Sequence, residues 1–187
     1  GITRQLHFST KRPNDSLDVT LSVNGIPLVT LELKNPLSGQ TAANAIRQYR
    51  HDRDHREKIF DFKKRTLVHF AVDTDEVHMT ARLAGGATHF LPFNRGRDGG
   101  AGNPPDPEGR NYRTAYLWEE VLERNSFLDL LARFLHLQIE EKRTEDGKKV
   151  KKETMIFPRY HQLQAVREMV EAAAKEGTGH NYLVEHS

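Results

Sequence analysis

Apolar and polar residues alternate over residues 17–23, LDVTLSV, and again over 29–34, VTLELK. A period of two marks a strand with one buried face. The NGIP between them is a turn signal, so the pattern predicts a β-hairpin. Leu17, Val19, Leu21 and Val23 form one apolar row, and Val29, Leu31 and Leu33 the other. If both rows face one core, Asp18 stands opposite Glu32, Thr20 opposite Thr30 and Ser22 opposite Leu28. A two-residue loop at Asn24-Gly25 would mix the faces, so a loop of three or five residues centred on Gly25 is expected.

Further along, Pro36 and Gly39 interrupt the chain. Residues 41–56 read as a helix capped by Thr41, with Ala42, Ala45, Ile46 and Tyr49 on one face. TLVHFAV at 66–72 reads as a more buried strand, with shorter strands at 76–80 and 88–93. The Gly- and Pro-rich stretch 94–111 predicts a long, flexible connection. Residues 116–139 read as two helices divided near Asn125-Ser126. The charged run 141–153 reads as a linker at a domain boundary, with Lys148, Lys149, Lys151 and Lys152 as a solvated hinge. A helix over 158–176 and a strand over 181–185 follow. An initial Gly and a final strand with no cap or turn after it suggest a piece of something longer.

Composition narrows the class. The chain has 187 residues, 36% apolar and 29% charged, enough for one domain with a proper core or one domain plus the edge of another. No apolar run reaches the roughly 20 residues of a membrane span, and GITRQLHFST lacks the apolar centre of a secretory signal. No cysteine is present, which excludes disulfides and thiolate metal sites. A cytoplasmic location with no membrane partner is the expectation. The net charge of +2 says little about nucleic acid, but its distribution says more. Arg47, Arg50, Arg53, Arg56, Lys58, Lys63, Lys64 and Arg65 are interrupted by Asp52, Asp54, Glu57 and Asp61. This is either a solvated face laced with ion pairs or a stripe that faces phosphates.

The hairpin register carries the candidate chemistry. Opposed side chains have Cβ atoms roughly 4.5–5.5 Å apart, where like charges destabilise. Asp18 and Glu32 there need protonation, solvent exposure or a cation between them. Mg²⁺ suits two carboxylates and retained waters, and the Leu33 carbonyl adds an oxygen. Lys34 shares the face of Glu32 and can stabilise charge on a phosphate. Asp18, Glu32 and Lys34 thus supply the parts for phosphodiester hydrolysis. Against this, E-x-K is a common surface pair on half-exposed strands. His51 and His55 share a helix face, but no third ligand accompanies them and a zinc site is set aside.

LDVTLSVNGIPLVTLELKNP resembles the PD-(D/E)XK nuclease motif in the form used by the restriction subunit of type I restriction-modification enzymes. The matching residues are Asp18, Asn24, Gly25, Pro27, Glu32, Leu33, Lys34 and Asn35. AIRQYRHDRD, FLPFNRG, GAGNP and YLWEEVL extend the resemblance over most of 16–137. MIFPRYHQLQAVREMV and NYLVEHS resemble the lead-in to that family's helicase-type ATPase motor.

The resemblance implies an α/β fold: a restriction-endonuclease-like mixed sheet flanked by helices, followed by the start of a motor domain. Its domains would be an endonuclease at 1–140, a linker at 141–153 and the motor's start at 154–187. It implies a type I site-specific deoxyribonuclease, with Asp18, Glu32 and Lys34 catalytic and Asp18, Glu32 and the Leu33 carbonyl as Mg²⁺ ligands. Arg47, Gln48, Tyr49 and Arg50 would contact DNA. The Q-x-x-x-Y spacing of many relatives is not met, because Tyr49 follows Gln48 directly. Gln162 and Arg159 would bind the nucleotide, with ATP used by the full-length subunit; no phosphate-binding G-x-x-x-x-G-K-[ST] occurs. Partners would be double-stranded DNA and the modification and specificity subunits. A DNA-binding module without cutting ability, or a domain docking the motor to its partners, stays open.

Overall fold

The computed structural model describes residues 1–97, 100–143, 146, 149–177 and 179–185. A six-stranded mixed sheet runs in chain order: β1 (Ile2–His7), β2 (Ser16–Val23), β3 (Ile26–Leu33), β4 (Val68–Val72), β5 (Val77–Thr80) and β6 (Leu91–Pro92). All neighbours are antiparallel except β3 and β4. A parallel pair needs a crossover. Residues 34–67 supply it and include the short helix α1 (Ala42–Arg47).

The predicted hairpin is present, with Thr20 paired to Thr30 and Val19 to Leu31. The expected loop is not. Asn24 and Gly25 form a two-residue turn with φ of +49° and +79°, the left-handed pair that matches strand twist. Ser22 then pairs with Pro27, not Leu28, and a bulge between Leu21 and Ser22 restores the register. The extra residue absorbs the mismatch that made a two-residue loop look incompatible with the apolar rows.

Apolar residues cover both faces of the sheet. On one, Val29, Leu31, Val68, Phe70, Val72, Val77 and Met79 meet Phe93, Tyr116, Leu117, Phe127 and Leu130. On the other, Leu17, Ala71 and Phe90 meet Ala45, Tyr49, Ile59 and Phe60. The strand β3 therefore has no solvated face: Thr30 and Glu32 are fully buried.

Several predicted elements change. The helix at 41–56 is α1 plus one π-helical turn, Gln48–Asp52. The basic residues 47–65 accordingly lie on a helix, turns and a 3-10 turn, not on one helical face. At 116–139, a π-helical turn, Leu117–Val121, is followed by α2 (Arg124–Arg133). Glu123, not Asn125-Ser126, marks the break, because its carboxylate caps α2 by accepting from the N–H groups of Asn125 and Ser126. Beyond it the chain is extended. β7 (His136–Arg143) and β8 (Lys149–Ile156) form an antiparallel ribbon where a linker was expected. Cross-strand charges such as Glu141 and Lys151 support it at 3.2 Å. Lys148 lies outside the described residues.

Among its described residues the connection at 94–111 has no strand or helix and is largely exposed, but Asn103 anchors it. Asn103 is buried, donating to the Asp75 carbonyl at 2.8 Å and accepting from the Arg95 N–H at 2.8 Å. Its Asp98 and Gly99 lie outside the described residues. The predicted last helix is α3 (Tyr160–Glu176). Residues 181–185 form no strand, since no other strand pairs with them, and they lie near α3 instead.

Nothing among the described residues forms a helicase-type motor domain. Residues 154–187 are the end of β8, α3 and a tail, and Phe157, Tyr160 and Leu163 join the core of the first sheet face. No helix is long and apolar enough to cross a membrane among the described residues.

The turn generates a test. No atom lies within 4 Å of a Cβ built on Gly25, so a substitution there is opposed by backbone conformation alone. Gly25→Val should lower stability by about 1–2 kcal/mol, read by urea unfolding, with β-sheet circular dichroism retained.

Candidate active site

The site is built on the β2–β3 pair and closed from behind by the crossover. Asp18 lies one residue before Val19 on β2, and Glu32 one after Leu31 on β3, so the paired register brings them across from each other. Glu32 is fully buried and Asp18 half-buried. The Asp18 carboxylate accepts from the Leu33 N–H at 2.8 Å and from the Gln5 amide at 3.3 Å. It therefore replaces a backbone partner where the β2–β3 ladder ends. Lys34 follows β3 directly and is tied by its N–H to the Val72 carbonyl at 2.8 Å. Its half-buried ammonium makes no ion pair among the described residues, yet it lies close enough to favour the charged form of Glu32.

Glu32 has one satisfied oxygen and one orphan. Oε1 accepts from Arg53 Nε at 2.8 Å, and Arg53 also donates to the Ser16 carbonyl at 2.7 Å. Oε2 is buried with no hydrogen-bond partner. Burial pushes the Glu32 carboxyl up to about 7. Arg53, by charge and hydrogen bond, opposes this; Asp18 adds to it and Lys34 opposes it.

A neutral polar chain lies behind. Thr30 Oγ1 is 2.8 Å from the Tyr49 hydroxyl and 2.7 Å from His69 Nδ1. Burial holds the His69 imidazole down at about 3, so it is neutral near pH 7. Burial, followed by the nearby Glu32 charge, raises the Tyr49 phenol. With Tyr49 donating to Thr30 and Thr30 donating to His69, every member of the chain is paired.

The expected DNA contacts separate. Arg47 is exposed and Gln48 half-buried. The Arg50 Nε donates to the Thr88 carbonyl at 2.9 Å, which staples the π-helical turn to the loop after β5. Tyr49 has no exposed surface and cannot touch DNA; it continues the apolar face of α1, packing in the same cluster as Ala45. Gln162 and Arg159 line a groove of about 700 Å³ beside Phe62, Arg82 and Met155. The Gln162 side-chain oxygen is engaged there, capping α3 by accepting from the Arg159 N–H at 2.9 Å.

Sequence reasoning missed Arg53 as the partner of Glu32, counting it only among scattered basic residues. It also missed Thr30 and His69. The one available signal was a lone His in TLVHFAV, an otherwise apolar strand, where a buried partner is required.

The chemistry of the donor set is specific. No group of three or more His, Cys, Asp or Glu side chains is placed to hold a metal among the described residues. A site completed by protein side chains, as zinc requires, is not present there. Two carboxylates, one with a buried free oxygen, beside the Leu33 main chain fit a hard cation that draws its other ligands from water and phosphate.

Comparison with known proteins gives a family match. Residues 1–88 match the family model described as Type I restriction enzyme R protein N terminus (HSDR_N). Over these residues the chain is similar to the N-terminal region of a type I restriction enzyme R protein. The match spans β1 to β5 and contains Asp18, Glu32, Lys34 and Arg53. No curated protein and no solved structure matches the chain.

The buried carboxyl makes stability depend on pH. Held at about 7 when folded against 4.5 when unfolded, Glu32 binds its proton more tightly in the native state. Its contribution is therefore fully present below about 4.5 and lost as pH rises through 7, by up to about 3 kcal/mol. Urea unfolding in chelator at pH 5 and 8 should show that loss in the wild type and a much flatter profile in Glu32→Gln. Equal slopes would mean Glu32 is not desolvated.

Proposed function

We propose that this region is the Mg²⁺-dependent DNA-cleaving site of the restriction enzyme, hydrolysing phosphodiester bonds in duplex DNA. The observation that carries the reading is the orphan Oε2 of Glu32, buried across the strand pair from Asp18 with Lys34 alongside. An acceptor in that position, left without a donor, costs about 1–3 kcal/mol or more unless something else satisfies it. Glu32, Asp18 and the Leu33 carbonyl would hold Mg²⁺. The ion, when bound, supplies Lewis acidity toward phosphate and lowers the pKa of water.

The protein's own residues do the rest. Arg53 fixes the orientation of the Glu32 carboxylate through its Nε bond. The Leu33 N–H fixes Asp18. The Thr30–Tyr49–His69 chain keeps the wall behind them neutral and dry. Lys34 then offers an uncommitted ammonium to the charge that builds on the phosphate during cleavage. Cutting that follows ATP-driven translocation, ATP use by the full-length subunit, and assembly with modification and specificity subunits belong to the same proposal.

One observation favours a second reading. The Arg53 guanidinium already balances Glu32, so the pair also suits a structural core in a domain that binds DNA or docks the motor without cutting.

Lys34→Ala in the full-length subunit, assembled with its partners, separates the two. Cleavage should fall by at least about 10²-fold, while translocation and ATP hydrolysis persist. Retained cleavage removes Lys34 from the chemistry. Mn²⁺ binding followed by electron paramagnetic resonance should weaken in Asp18→Asn; no binding by the wild type would favour the structural reading.

A further inference from the structure

A second charged feature lies on the far side of Arg53. Arg12, Arg50, His51, Arg53, Asp54, His55, Arg56 and Gly85 line an open pocket of about 480 Å³. Four guanidinium groups and two imidazoles share it with one lining carboxylate, Asp54. That carboxylate is already gripped by Arg56, through Nε and Nη2 at 2.9 Å each. Two more guanidiniums are oriented by main-chain carbonyls: Arg12 by Asp52 at 2.8 Å, and Arg50 by Thr88 at 2.9 Å. Arg12 also meets Asp15 at 3.0 Å. These bonds use Nε or Nη2. The Nη1 group of each arginine is left without a hydrogen bond among the described residues.

Three of the four arginines pair with acids: Arg12 with Asp15, Arg53 with Glu32 and Arg56 with Asp54. Beyond that pairing, the crossover and the loop after β5 bring all four to one pocket, where Arg50 is held by the Thr88 carbonyl. Gly85, at φ +58°, permits the approach: a Cβ there would lie 3.3 Å from the His55 ring. The result is a cluster of guanidinium side chains that line one cavity, three of them held by main-chain carbonyls and each with donors to spare. A phosphate is the group such a fork of guanidinium donors recognises best.

We propose that this pocket is a subsite for a backbone phosphate of the DNA strand, separate from the carboxylate pair and joined to it by Arg53. The inference rests on DNA being the substrate, but not on cleavage. Arg53 belongs to both places: its Nε holds Glu32, and the residue is among those that line the pocket. A phosphate seated here therefore registers the strand against the residue that orients Glu32.

The test measures duplex binding by fluorescence anisotropy on the whole 187-residue chain, in chelator, so that no cutting occurs. His55→Gln combined with Arg56→Gln alters two exposed side chains outside the core. Affinity should fall about fivefold or more, and the slope of log affinity against log salt should become shallower by about one. Lys175→Gln, on α3 and outside the pocket, controls for general loss of charge and should change affinity less than twofold. Unchanged affinity and slope in the double variant overturn the proposal. Binding of inorganic phosphate that the double variant loses, with duplex affinity untouched, would assign the pocket to free phosphate and also overturn it. The Lys34→Ala cleavage assay is independent, so failure of the nuclease reading and failure of this subsite are distinguishable.

Discussion

A carboxylate enclosed by protein sets the terms for the rest of this fold. Glu32 sits on the central strand with no exposed surface, one oxygen held by Arg53 and the other held by nothing. Taking a charge out of water costs several kcal/mol, so the arrangement persists only because other groups fix it in place. Arg53 is anchored in turn, by its bond to the Ser16 carbonyl and by its N–H to the Gln48 carbonyl that closes the π-helical turn. The geometry of that turn and the electrostatics of Glu32 are thus one problem. An ordinary α-helical continuation through residues 48–52 would place Arg53, which closes the π-helical turn, differently relative to β3.

The sheet supports this from both sides. Val29, Leu31, Val68, Phe70 and Val72 make a dry apolar layer on one face. The same strands present Thr30, Glu32 and His69 to the other, where α1 and the crossover cover them. The parallel β3–β4 pairing makes such double burial natural, since the crossover must lie over the sheet. The polar residues on the covered face are satisfied as a set, Thr30 with both Tyr49 and His69. Only the Glu32 Oε2 and the Thr20 hydroxyl on these strands remain without partners.

The position of Lys34 follows from the same strand. It lies where β3 leaves the sheet, held by the Val72 carbonyl, and its side chain is half-buried beside two acids without a committed partner. A lysine so placed is a mobile positive group at the rim of a buried negative one. The arginines beyond Arg53 repeat that theme on the opposite side of the carboxylate, with planar donors in place of an ammonium.

The hairpin was legible in the sequence, because alternation with period two assigns faces and the apolar rows admit few registers; Leu17 leaves its expected row, packing with Tyr49 and Phe60 on the face opposite Val19, Leu21 and Val23. Thr20 pairs with Thr30 as that logic required. The turn was misjudged because a bulge, which leaves little trace in local pattern, corrects a register that turn type alone would spoil. The 141–153 stretch reads as a linker by charge, yet pairs as a ribbon, since cross-strand partners come from residues distant in the chain. Arg53 could not be assigned to Glu32 from spacing, because it lies 21 positions on, within the irregular crossover. The sequence alone determined the hairpin and the strands on which the candidate residues Asp18 and Glu32 stand. Tertiary structure alone decided that the polar face is buried and that one arginine joins the carboxylate to the basic pocket. Burial and long-range pairing are properties of packed surfaces, and no local period encodes them.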